Sequence, residues 1–267
     1  MSIEWILAYL MLGAVVGFMA GLLGIGGGGI MVPILTALFS AQGVPAEHLV
    51  HMALGTSMAS IVFTAFASAR AHHSHQGVLW QVVLKITPAI LIGTLSATWI
   101  AAMIPTKALG IFFSCFMAYV AIQMVLNIKP KPSRQLPGAV GMSVAGLTIG
   151  GISALVAIGG GSLTVPFLTW CNVRIQQAIG TSAAVGLPIA LSGALGYMIN
   201  GWHAANLPDY TIGYVYLPAV VLISAVSYFT APVGAKLAHR LPVAVLKKVF
   251  AGLLVLLSLK MLQTIFA

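Results

Sequence analysis

The sequence predicts an all-α integral membrane protein made of two inverted repeats of four helical segments, the first segment of each repeat broken or re-entrant at a Gly-rich loop. Three observations predict it. Apolar residues fill 60% of the 267 positions and charged residues only 6%, with a mean hydropathy of +1.06, whereas a soluble domain carries about 25% charge. One glycine-packed stretch occurs twice, as Ile25-Gly-Gly-Gly-Gly-Ile-Met-Val-Pro-Ile-Leu35 and as Ile158-Gly-Gly-Gly-Ser-Leu-Thr-Val-Pro-Phe-Leu168, with seven of eleven positions identical at an offset of 133. The basic residues collect on one side of the bilayer in only one of two topologies.

Apolar runs punctuated by Gly and Pro place segments near 5–39, 48–69, 78–103, 106–127, 138–171, 175–199, 212–235 and 242–266. The most polar connection, Asn127-Ile-Lys-Pro-Lys-Pro-Ser-Arg-Gln-Leu-Pro137, falls between the copies. Repeat 1 is therefore 1–127, the linker 128–137 and repeat 2 138–267, together one membrane domain with no separate soluble unit. Gly13 matches Gly146 and Gly17 matches Gly150 at the offset of 133, and Gly55-Thr-Ser57 recurs as Gly180-Thr-Ser182.

The first segment of each repeat is too long for one simple span. Each consecutive glycine weakens a helix by about 1 kcal/mol relative to Ala, so the helix breaks at the cluster. Pro33 and Pro166 follow, and a proline is harmless in the first turn of a new helix because its missing N–H has no partner there anyway. A short second helix is expected to start near Gly29 and near Ser162.

If all eight segments cross, the twelve Lys and Arg divide six and six, with no bias. If 5–39 and 138–171 return to the side they left, ten face one side and only Lys107 and Lys260 the other, as cytoplasmic enrichment of basic residues requires. Glu4, Glu47 and Asp209 then all face outward. Three crossings per repeat also invert the second copy. The outgoing arms, 5–23 and 138–158, would rise about 28 to 32 Å, which calls for tilt or for a full crossing followed by a partial return.

A helix that starts inside a membrane presents unpaired N–H groups and a partial positive charge, an anion site without formal charge. Backbone irregularity at membrane depth is tolerated where it faces protein or a water-filled cavity, and paired interruptions in two halves point to a transporter's binding site. Gly26, Gly27, Gly28 and Gly29 form one cradle; Gly159, Gly160, Gly161 and Ser162 form the other. The hydroxyls of Thr56, Ser57, Thr181 and Ser182, at equivalent places in the following segments, are assigned to the same cavity. A bulky residue at Gly28 or Gly160 is expected to stop transport while the fold survives. The bland alternative is that small residues simply let helices pack closely, which suits Gly17 and Gly21 well.

Other classes fit poorly. The +9 formal charge is spread between apolar runs rather than along a soluble basic face, so no nucleic-acid partner is expected. No Lys-Ser/Thr follows either glycine run, as a nucleotide-phosphate loop requires, and neither paired intramembrane acids nor a nucleophile with its base is legible, so the chain is not read as an enzyme. Cys115 and Cys171 have no metal-ligand spacing and are expected to be buried free thiols; no cofactor or metal is expected. Met1-Ser-Ile-Glu4-Trp5 lacks the basic region of a cleaved signal peptide, so the N-terminus is expected to be retained. His48, His51 and His203 fall near predicted outer ends. Arg70-Ala-His-His-Ser-His75 falls in a predicted cytoplasmic loop, and the competing function is a cation or metal permease using His72, His73 and His75.

The duplicated Gly-x-Gly-Gly-Gly…Pro segments, here Gly24 to Pro33 and Gly159 to Pro166, together with the two Gly-Thr-Ser triplets, resemble the sulfite exporter TauE/SafE family of membrane permeases over nearly the whole chain. The second copy departs from the first, with Ala157 in place of Gly24 and Ser162 in place of Gly29. The resemblance implies transport, with export favoured, of small anionic substrates such as sulfite, sulfoacetate or related organosulfonates across a bacterial cytoplasmic (inner) membrane. Lipid-facing small residues would serve a homodimer as readily as internal packing.

Overall fold

The computed structural model of the chain describes residues 2–23, 27–74, 76–126, 133–238 and 243–266, and within them ten α-helices and one short β-hairpin. Eight helices are long and apolar enough to cross a bilayer: α1 (Ile3–Leu23), α3 (Leu49–Ser74), α4 (Trp80–Met103), α5 (Thr106–Val125), α6 (Ala139–Val156), α8 (Ile175–Asn200), α9 (Leu217–Ala238) and α10 (Val243–Phe266). The other two, α2 (Gly28–Ala41) and α7 (Gly161–Trp170), are shorter. Large apolar side chains such as Leu84, Trp99, Val140 and Leu256 point outward, as they do when lipid rather than water surrounds the bundle. The chain is an integral, multi-pass membrane protein.

The two long first segments each become a helix pair. In α1, 21 residues rise about 31 Å, and in α2, 14 residues return about 21 Å at 1.5 Å per residue. The return ends beside the start: Gln42, which closes α2, donates its amide to the Tyr9 hydroxyl at 2.8 Å. In the second half the backbone N–H groups of Ser133 and Arg134, just ahead of α6, donate to the Trp170 carbonyl at the end of α7 at 3.2 and 3.3 Å. The Arg134 guanidinium lies 5.0 Å over the Trp170 ring. Each pair thus leaves and returns at one end of the bundle, with the outgoing arm longer than the returning one.

Helix pairing exchanges the halves. The first helix of each half packs on the third full-length helix of the other, α1 on α9 and α6 on α4, while α3 packs on α8 and α5 on α10. Glycines set the close approaches. A Cβ on Gly13 would stand 2.7 Å from the Ile223 carbonyl and one on Gly17 2.5 Å from the Ser227 backbone; on the matching Gly146 and Gly150 it would meet the Ile86 and Ile90 carbonyls at 2.9 and 2.5 Å. Only small residues allow backbones so near. The central pair is α3 and α8, whose membrane windows are 78% and 67% buried against 28% for α1.

Several expectations are corrected. The segment predicted at 212–235 begins too early, because β1 (Thr211–Ile212) and β2 (Val215–Tyr216) form an antiparallel hairpin before α9. Its alternation of β-branched and aromatic residues around Gly213, which sits at φ +56, is a hairpin pattern. Helix α3 continues past 69 to Ser74, so His72 and His73 lie in its last turn rather than in a loop; no breaker occurs before Gly77. Cys115 is exposed on α5, while Cys171 is buried and its thiol is pushed up by that burial. Residue 127 and residues 128–132 of the linker lie outside the described residues.

Candidate functional site

Helix α2 starts at Gly28 and α7 at Gly161, and no side chain caps either start. The Gly27 carbonyl accepts from Ile30 and Met31 N–H, and the Gly160 carbonyl from Leu163 and Thr164 N–H. The first two amides of each helix have no partner within it, as geometry requires at any helix start. Pro33 and Pro166 are therefore sixth in their helices, in the second turn rather than the first as expected. Each removes the N–H that would have reached back four residues, so the carbonyls of Gly29 and Ser162 lose their helical donor.

The approach to the second break uses two left-handed residues, Ala157 at φ +46 closing α6 and Gly160 at φ +78 opening α7. Alanine in this region is strained by about 1–2 kcal/mol, and glycine gives back about 0.5–1 kcal/mol through unfolded-state entropy. Ala157→Gly should therefore stabilise the protein by about 0.5–1 kcal/mol, seen as a higher Tm in detergent; a lower Tm would contradict the strained conformation.

The two breaks meet. A Cβ on Gly28 would stand 1.7 Å from the Ala157 carbonyl oxygen, so the backbones are in direct contact. Ile61 of α3 seals the junction, its methyls 3.3 Å from the Cβ position of Gly28 and 3.2 Å from that of Gly159. Gly186 of α8 lies against the Gly159 carbonyl. Ser57 is one turn before Ile61 and Ser182 one turn before Gly186, so both serines sit on the central helices that hold the breaks. Both are buried, and the Ser57 hydroxyl has no partner. Gly26 lies outside the described residues. The contact makes Gly28 a packing residue, so the expectation that bulk there spares the fold is revised.

The threonines of the two triplets have a task sequence reasoning missed. Thr56 Oγ1 accepts the Tyr216 N–H at 3.0 Å, and Thr181 Oγ1 accepts the Leu79 N–H at 2.9 Å. Tyr216 and Leu79 immediately precede α9 and α4, so each hydroxyl caps a helix of the opposite half. The preceding glycines admit the same segments: Gly55 faces the Tyr214 carbonyl and Gly180 the Gly77 carbonyl. Local sequence carried no signal for this, because donor and acceptor are 160 and 102 residues apart.

The histidine cluster is held in packing contacts. Trp80 donates its indole N–H to His73 Nδ1 at 3.1 Å, His72 faces Gly180, and His75 lies outside the described residues. Among the described residues, no three His, Cys, Asp or Glu gather as metal ligands. A cavity of about 710 Å³ opens elsewhere, lined by Glu47, His48, His51, Thr106, Lys107 and Tyr214 among others. It touches none of the sequence-predicted site residues. His51 is buried there, its Nε2 2.9 Å from the Ala101 carbonyl and its Nδ1 3.2 Å from Thr106 Oγ1.

Comparison with known proteins agrees with this architecture. The family model for sulfite exporter TauE/SafE matches residues 9–261. A probable membrane transporter protein of Haemophilus influenzae is 39% identical over 262 residues, covering 96% of this chain and 98% of that one. Probable membrane transporter proteins of Methanocaldococcus jannaschii and Bacillus subtilis are each 26% identical, over 95% and 94% of this chain and 94% and 98% of their own. No solved structure matches the chain. A family match across almost the entire length, on top of duplicated glycine breaks in an eight-span bundle, means that this chain belongs to the sulfite exporter TauE/SafE family of membrane transporters.

Proposed function

We propose that the protein exports small sulfur-containing oxyanions or organosulfonates, such as sulfite or sulfoacetate, across a bacterial inner membrane by alternating access. One observation carries the reading: the uncapped start of α2 at Gly28 touches the other half's break at Ala157, four residues before the uncapped start of α7, beside unpartnered buried hydroxyls. Their amides offer hydrogen bonds and the positive ends of two helix dipoles. The three acidic residues lie in the first turn of α1 and in connections, so no carboxylate opposes an anion in mid-span.

The halves are inverted in this reading, which the exchanged pairing of α1 with α9 and of α6 with α4 supports. Two breaks related by an axis in the membrane plane, and touching, meet near the midplane. Rocking of one half against the other then exposes the site to each side in turn. An inside-negative potential drives an anion outward by about 2.3 kcal/mol per charge per 100 mV, so export needs no coupled ion. Gly27, Gly28, Gly29, Gly159, Gly160 and Gly161 supply close backbone approach. Ser57, Ser162 and Ser182 supply hydroxyls, and Thr56 and Thr181 fix the helices around them.

The test is flux of radiolabelled sulfite in proteoliposomes of the purified protein under an imposed potential, with unlabelled sulfoacetate and acetate as competitors. Saturable, potential-sensitive flux inhibited by sulfoacetate is expected. A folded sample that moves no sulfur oxyanion would rule the reading out.

A further inference from the structure

We infer that the two breaks are unequal, and that one anion per chain sits at the second, held by the hydroxyls of Ser153, Ser162 and Thr164. The inference rests on the anion-transport reading above and specifies where in that site the ligand lies. All three side-chain oxygens are buried without a hydrogen-bond partner, and Ser153 and Thr164 are 0% exposed. Buried hydroxyls in this state are costly, and each calls for a partner that completes it. Ser153 lies in the last turn of α6, its carbonyl taking the N–H of Ala157 and Ile158. Thr164 Oγ1 lies 3.3 Å from where a Cβ on Gly160 would stand, so it occupies the mouth of the cradle that glycine keeps open.

Among the described residues, the first break carries no such hydroxyl of its own. At the offset of 133 its matching positions are Ala20, Gly29 and Met31. Gly27 and Gly29 face carbon and sulfur, Gly27 against Val16 and Gly29 against Leu254 and Met117, and Gly28 abuts the Ala157 carbonyl. Gly27, Gly28 and Gly29 are all buried, while Gly159 and Ser162 are partly exposed. The second break thus carries hydroxyls and is partly exposed, whereas the first abuts it through buried glycines. An SO₃ group offers three oxygens to these donors, where a planar carboxylate offers only two. The site therefore prefers sulfite and sulfonates to carboxylates, because donors left unpaired by the wrong ligand penalise it.

Isothermal titration of sodium sulfite, and separately sodium acetate, into the detergent-purified full chain tests this. Wild type should bind one sulfite per chain and acetate more weakly. Thr164→Val keeps the shape and removes the hydroxyl; its Kd for sulfite should rise at least tenfold while its Tm rises, a combination that a purely structural threonine would not give. Met31→Leu, at the matching place in the first break, should stay within twofold of wild type. Should Thr164→Val fail to fold, Ser162→Ala at a partly exposed position should weaken sulfite binding likewise. Two equal sites per chain, or hydroxyl-deleted variants with wild-type Kd, would overturn the inference and leave the transport reading standing. A wild type that neither binds nor moves sulfite would remove both.

Discussion

Gly28→Ala should lower both stability and transport, because the added methyl would sit 1.7 Å from the Ala157 carbonyl oxygen. A backbone oxygen cannot rotate away as a side-chain tip can, so one break must shift against the other. Overpacking of this kind costs about 3 kcal/mol, and flux should fall roughly 100-fold once the groups around the ligand part by about 1 Å. Gly159→Ala is the informative companion. Its Cβ would meet only the Ile61 methyl at 3.2 Å, so the Tm should hold while the covered amide impairs flux. A Gly28→Ala protein with wild-type Tm would show that the breaks are not in contact.

Thr56→Val and Thr181→Val should each lower stability by about 1–3 kcal/mol, since each leaves a buried or partly buried backbone N–H without its acceptor. The two losses should be similar, because the two bonds are counterparts: each runs from a Gly-Thr-Ser triplet on a central helix to the residue that precedes a helix of the other half. Serine at either place should restore most of the loss, as it keeps the oxygen. Thermal denaturation in detergent measures all four variants. Valine proteins as stable as wild type would mean that these bonds do not tie the halves together.

Glycine repetition was legible because a helix break is a local backbone property, written in residues that are themselves adjacent. The same holds for Gly13, Gly17, Gly146 and Gly150, whose duplicated positions anticipated duplicated close approaches to α9 and α4. The capping of one half by the other was not legible, since nothing near Thr56 announces Tyr216. The hairpin at 211–216 was absorbed into a span because its aromatic and β-branched residues are as apolar as those of a transmembrane helix, and composition alone does not separate them. The extra turns of α3 are not legible because Ala71-His-His-Ser74 is polar and polarity suggests a loop, although no residue there breaks a helix. Pro33 and Pro166 were placed one turn early for a related reason: Gly28 and Gly161 accept helical dihedrals once packing holds them, so the helices start sooner than propensity predicts.

Everything proposed depends on the two halves entering the membrane from opposite faces, so that their breaks meet in its middle. Gln76 and Ile212 stand three and four residues ahead of the Leu79 and Tyr216 N–H groups that Thr181 and Thr56 hold. Single cysteines at these positions, Gln76→Cys and Ile212→Cys in a background lacking Cys115 and Cys171, report their sides through labelling of intact cells with a membrane-impermeant maleimide. The account predicts that Ile212→Cys is labelled from outside and that Gln76→Cys is labelled only after the membrane is opened. Labelling of both from the same face would contradict inversion, and with it the shared site.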